Sequence, residues 1–392
     1  MSELTFGELD DLQERQGPAA SIDRLIKSFR DDRDYHRLFD ALLLKRRFEM
    51  GLSLVQPTSF DGVPEEQQEE LEESYVDAAR EVGELFLAEG NIPQAWLYFR
   101  TIREPERVTE ALSTVDSRRE ASEQTEELIN VALYQGANPV KGLELLLRTH
   151  GTCNTITALD QQIHQMSSED RRLSAGLLVR ELYTDLTHTV RREIEQKLTT
   201  GSDENSLRAL ITGRDWLFAE GNYHIDVSHL HSVVRFARFL PPGDRELSLA
   251  MELADYGAHL ATQFQYPGDP PFENFYPAHA RYFQVLADDG RDEAIASFRD
   301  KLNVETDPQN KQMIAYVLVD LLGRIDRLDE ALELAAEHLR DVDESSGFSF
   351  ARLCQQAGRL DALRDVARDK RDFVSYVAAR LEDGHRTSAS AK

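Results

Sequence analysis

Residues 216–240 read WLFAEGNYHIDVSHLHSVVRFARFL, and the way this stretch folds decides what the rest of the chain can be. Trp216 to Glu220 closes one helix, Gly221 suits the left-handed residue that ends it, and a second helix runs on toward Pro241 and Pro242. The same stretch carries the densest histidine cluster of the chain, so fold and chemistry meet in one hairpin.

The start of the second helix sets which chemistry is available. A start near Tyr223 puts Tyr223, Val227, Leu230, Val234 and Ala237 at i, i+4, i+7, i+11 and i+14, one buried stripe with His224, Ser228, His231 and Arg235 beside it. Successive residues turn by about 100°, so on that helix His224 and His229 lie roughly 140° apart and cannot share a metal. If Ser228 is the N-cap instead, His224-Ile225-Asp226 lies in the turn and His224, Asp226 and His229 can converge. That arrangement permits a His/Asp/His site for one divalent transition metal such as zinc, or a histidine oriented by a carboxylate for proton transfer. The plainer alternative is polar cover beside a helix start, with Asp226 favouring the positive end of the helix dipole.

Composition narrows the class. A chain of 392 residues that is 41% hydrophobic and 30% charged is expected to be a soluble folded protein with a large core. Its net charge of -26 repels phosphate backbones and anionic bilayers, which argues against nucleic acid and membrane as partners. No run approaches the ~20 apolar residues of a membrane span, and MSELTFGELDDLQERQG lacks the regions of a secretion signal, so a cytoplasmic location is expected. Cys153 and Cys354 stand far apart, which indicates neither a disulfide framework nor a cysteine-rich zinc module.

Helical periodicity runs through the chain. Asp34 opens a helix whose apolar face is Tyr35, Leu38, Phe39, Leu42 and Leu43, with Lys45, Arg46 and Arg47 expected to project outward. After the loop QPTSFDGV, Pro64 suits the first turn of the next helix and Gly90 stops it. The segment Gln265–His279, QYPGDPPFENFYPAH, is the longest non-helical signal, and its aromatics Tyr266, Phe272, Phe275 and Tyr276 argue for an ordered loop over one face, covering a groove near His279 or plugging the space between neighbours. From Arg281 to Leu381 helices recur at short intervals, and Asp383 to Lys392 is expected to be a disordered tail. The implied segments are residues 1–63, 64–200, 201–382 and 383–392.

Within this pattern Gly90, Ala95 and Phe99 place a turn glycine, a small residue and an aromatic at a spacing that resembles the tetratricopeptide repeat family. Gly290, Ala294 and Phe298 come close to it, and Asp326, Ala331 and Ala335, like Gly358, Ala362 and Val366, keep the small residues. The resemblance covers about half the chain and implies an all-α fold, a right-handed α-solenoid of helical hairpins whose concave face holds a protein or peptide.

No phosphate loop, HExxH pair, nucleophile elbow or CxxC couple occurs in the sequence. The leading expectation is therefore a protein- or peptide-binding scaffold that needs no cofactor, with Tyr223, His231, Arg235, Tyr266, Phe275, Tyr276 and His279 as candidate ligand contacts. The competing expectation is a metal-dependent or acid/base enzyme of the hydrolase or lyase type, with His224, Asp226 and His229 joined by His188, His259 or His279. An acidic chaperone or assembly factor is the third.

Overall fold

The computed structural model describes residues 4–198, 204–342 and 348–389. It is 74% helical and contains no strand among those residues, so the all-α expectation holds. The chain divides into two compact units, Met1–Met166 and Ser167–Lys392.

The first unit contains α1 (Phe6–Gln16), α2 (Pro18–Asp31), α3 (Tyr35–Glu49), α4 (Glu65–Ala88), α5 (Ile92–Thr101), α6 (Glu106–Ser113), α7 (Glu123–Ile129) and α8 (Pro139–Gln162). From α1 to α6 each helix packs on the next, and α7 packs on α8, as expected for hairpins. Asn91 caps α5 by accepting from the backbone N–H of Gln94, and Gly90 before it takes φ 74°, a left-handed value that a side chain would resist. Ala95 and Phe99 are then fully buried. The ring of Phe99 lies against Gly83 of α4, where an added Cβ would come within 2.6 Å of it, so a bare helix surface is what admits the aromatic. The interruption at His150-Gly151 is a kink: Gly151, at φ 78° and ψ 178°, breaks α8 and lets it resume at once.

One surface expectation fails in this unit. Arg47 is buried, because its guanidinium donates to the carbonyls of Ser53 and Ser59 at 2.5 and 2.6 Å and ties down the loop that follows α3. Carbonyls that the loop cannot pair with itself recruit the charge inward.

The second unit contains α9 (Ser168–Leu198), α10 (Leu207–Ile211), a 3₁₀ turn at Asp215–Gly221, α11 (Val227–Phe236) and α12 (Glu246–His259). It continues with α13 (Phe275–Ala287), α14 (Arg291–Val304), α15 (Pro308–Arg324), α16 (Leu328–His338), α17 (Phe350–Gln356), α18 (Leu360–Lys370) and α19 (Phe373–Ala389). The long helix α9 packs against α10, α11 and α12, and α13 touches α12, α14 and α15. Ala294, Phe298, Ala331 and Ala335 are buried at their hairpin contacts, whereas in α18 the buried residues are Leu360 and Ala367, not Ala362 and Val366.

Two segment expectations change. The irregular stretch ends at Asn274, and Phe275, Tyr276 and His279 belong to the first turns of α13, where Pro277 is tolerated because early helical N–H groups have no intrahelical partner. At the other end α19 is described to Ala389, past Asp383, the expected start of a disordered tail; residues 390–392 lie outside the described ones.

Candidate functional site

The organising stretch resolves in favour of the turn. Asp226 is the N-cap of α11: its Oδ1 accepts from the backbone N–H of Ser228 at 2.8 Å, the Ser228 hydroxyl at 2.6 Å and the backbone N–H of His229 at 3.2 Å. Those bonds, the Ser228 hydroxyl first, hold the carboxyl below the usual aspartate range. Val227, Leu230, Val234 and Ala237 form the buried stripe, while Tyr223 stays outside the helix, half exposed with its ring edge-on to Phe264.

His224 turns inward from the same loop. Its backbone N–H donates to the Tyr256 hydroxyl oxygen at 2.9 Å, and its Nδ1 lies 2.9 Å from that oxygen. The hydroxyl proton is free to go to Nδ1, which puts the imidazole proton on Nε2, 3.0 Å from Glu193 Oε2. Burial pushes the imidazole pKa down, and the Glu193 charge opposes that shift. The result ties α9, the turn and α12 together.

The three metal candidates are thus not brought together. His224 is committed to Tyr256 and Glu193, Asp226 to the α11 N-terminus, and among the described residues no group of three or more His, Cys, Asp or Glu could hold an ion. Of the three histidines suggested as a fourth ligand, His188 is exposed, His259 stacks on Phe218 with its Nδ1 at the Asp255 carbonyl, and His279 lies in a different cluster.

That cluster borders a cavity of about 560 Å³, a volume ordinary for a ligand site. Of the candidate contacts, His231, Arg235, Phe275 and His279 line it; Tyr223, Tyr266 and Tyr276 are not among its lining residues. Tyr276 is fully buried instead, its ring so close to Gly257 of α12 that a Cβ there would lie 2.3 Å away. Tyr266 packs edge-on to His231 with centroids 5.2 Å apart. Within the aromatic segment Phe272 and Tyr276 are buried, and residues 267–270 form part of the cavity rim.

A continuous ladder of rings forms one wall. His231 stacks on Phe275 at 3.9 Å, Phe275 meets His279 at 4.1 Å, and His279 stacks on Phe272 at 4.3 Å. The Arg238 guanidinium caps the ladder 4.6 Å above Phe272, and among the described residues no carboxylate is within ion-pair distance of it. Burial, and secondarily Arg235, lowers the His231 pKa; burial lowers His279 to about 3. Both rings are neutral at physiological pH.

The opposite wall could not be read from the sequence. Gln312, Met313, Tyr316 and Val317 come from one face of α15, and Leu339 and Val342 follow α16. Tyr316 also lines a second cavity of about 320 Å³, with Val319, Asp320, Gly323, Arg324 and Arg352 around it. The two cavities thus share Tyr316 of α15 in their linings. The available signal was that Met313 and Tyr316 interrupt the polar side of an amphipathic helix and stay exposed, but nothing in the chain order pairs them with His231 or Arg238.

The described residues include no helix long and apolar enough to cross a membrane. No family model, curated protein or solved structure matches the chain.

Proposed function

We propose that this chain is a protein- or peptide-binding scaffold of tetratricopeptide-like hairpins, stacked as a right-handed α-solenoid and working in the cytoplasm, and that it holds an acidic partner segment along α15. The observation that carries the reading is the pair of cavities sharing Tyr316 on one face of that helix. A single compact ligand needs one such cavity; two that share a lining residue on one helix suit an extended segment.

Charge names the partner. The chain carries 71 acidic against 45 basic residues, yet the described lining of the two cavities holds four arginines, Arg235, Arg238, Arg324 and Arg352, against two aspartates, Asp269 and Asp320. Concentrating guanidinium groups where the rest of the surface is negative favours an acidic segment and steers its approach. Arg324 is already spent on the carbonyl of Arg238 and the hydroxyl of Tyr282, at 2.8 and 2.5 Å, and Arg235 lies over the Phe236 ring and is engaged within the protein, which leaves Arg238 and Arg352 as the residues expected to meet a partner carboxylate. Met313, Tyr316 and Val317 supply apolar contact between them. The reading uses no metal or other cofactor.

Arrays of ten-residue peptides graded from basic to acidic, probed with the labelled full chain, test it. Acidic peptides with apolar residues are retained by the wild type, and Arg238→Glu lowers their retention about ten-fold or more, an effect that shrinks as salt rises. Retention that is indifferent to peptide charge, or unchanged in Arg238→Glu, overturns the assignment.

A further inference from the structure

The helix α19 keeps its apolar residues on the outside. Phe373, Val374, Val377 and Leu381 are 76, 80, 51 and 62% exposed, and Ala378 beside them is exposed as well. At about 100° per residue these five fall within roughly 140° of the helix circumference, one continuous stripe about 12 Å long. The other side is the one seated on α18: Ala379 is buried, the Arg368 guanidinium lies over the Tyr376 ring, and Asp383 pairs with Arg364 at 3.2 Å. Val374, Val377 and Leu381 recur at three and four residues, the spacing of a seam between two helices. The four large side chains expose on the order of 400 Å² of apolar surface, a size at which patches on soluble proteins are often contact sites.

We infer that this stripe is where a second copy of the chain docks, α19 against α19 about a two-fold axis. A two-fold contact needs a surface that complements itself, and a seam of valine and leucine does, since each is an apolar partner for the other. Charge favours the same occupant. With 71 acidic residues against 45 basic ones, two copies repel over most of their surfaces, but residues 373–381, FVSYVAARL, include no acidic residue and a single basic one, Arg380. Here the copies approach without setting carboxylate against carboxylate. An anionic bilayer would have to hold a chain of net charge -26 through that one arginine, where a membrane-surface helix carries many basic residues on its polar face. A basic partner is drawn to the acidic remainder of the surface, and an acidic one gains more from the arginines along α15. The patch is about half of the ~800 Å² per partner of a stable interface, so the dimer is weak, with a Kd on the order of 10 µM.

Sedimentation equilibrium of the full chain from about 1 to about 200 µM tests the inference. The wild type is expected to pass from monomer to dimer across that range. It should dimerise more tightly at about 1 M salt than at about 0.1 M, because salt screens the acidic surfaces and leaves the apolar seam. Val374→Asp puts a charge into the seam and raises the Kd about ten-fold or more, and Leu381→Ser raises it less, whereas Val304→Asp, at a valine of α14 exposed to 76%, leaves it unchanged. Both seam positions are more than half exposed, so the variants keep the helical circular dichroism and denaturant midpoint of the wild type. A wild type that stays monomeric, or a dimer that is weakened by salt or indifferent to both seam variants, overturns the inference. So does recruitment of labelled Val374→Asp by the wild type as strong as its own pairing, the mark of a head-to-tail contact. Vesicles of phosphatidylglycerol and phosphatidylcholine that carry the wild type but not Val374→Asp in flotation overturn it in favour of a bilayer.

Discussion

Two buried histidines of the second unit have opposite arrangements. His224 has protein around both nitrogens, the Tyr256 hydroxyl at Nδ1 and the Glu193 carboxylate beside Nε2. His279 has its own helix's carbonyl at Nδ1 and no described partner at Nε2. The first is an internal tie between α9, a turn and α12; the second leaves a buried nitrogen unpaired within a stack of rings. The contrast teaches that burial of a histidine says little about its use until each ring nitrogen has been assigned a donor or an acceptor.

The largest consequence of this contrast concerns acid. A histidine whose folded pKa is depressed contributes stability that is fully present above its unfolded value, here 6.5, and is lost as pH falls toward its folded value of about 3, because the unfolded chain takes up a proton that the native chain refuses. Between pH 6.5 and 4 the wild type should therefore lose about 3 kcal/mol more than His279→Phe, at about 1.4 kcal/mol per pH unit, in denaturant titrations across that range. Parallel pH profiles for the two proteins would mean that His279 is protonated in the folded state, and the contrast with His224 would fail.

At neutral pH the other histidine should dominate. His224→Ala removes a filled side chain and deprives the Tyr256 hydroxyl of its acceptor, for a loss of about 2.5 kcal/mol in the denaturant midpoint at unchanged slope. A loss below about 0.5 kcal/mol would remove the distinction between a structural tie and an unpaired ring. Asp226→Ala should cost about 1 kcal/mol through the α11 cap, and zinc added to either wild type or variant should not shift the melting temperature. A stoichiometric rise with zinc that depends on Asp226 would restore the metal reading. The smallest effect, and of opposite sign, is His279→Phe at pH 7.5: exchanging an orphaned nitrogen for carbon in a stack of rings should leave stability within about 1 kcal/mol of the wild type or raise it.

Much of this was legible in the chain order, and the limits have physical causes. The stripe Val227, Leu230, Val234 and Ala237 follows from helical periodicity, which depends only on neighbours a few residues away. That Asp226 and not Ser228 would cap α11 was not decided by sequence, since both side chains can accept from early helical N–H groups and only the path of the incoming turn selects one. Arg47 read as a surface charge because the two carbonyls that bury it belong to an irregular loop. His231, Arg235, Phe275 and His279 were each singled out by residue type, yet their common border on one cavity with Met313 and Tyr316 depends on how α11, α13 and α15 pack.

By itself the sequence determined an all-helical chain of short paired elements, a strongly acidic surface and the stretches rich in histidine and aromatic side chains, because helix formation and net charge are properties of local order and composition. Tertiary structure alone decided which nitrogen of each buried histidine finds a partner and which arginines gather around α15. Those outcomes depend on distances between residues tens of positions apart, and such distances exist only once the helices have packed.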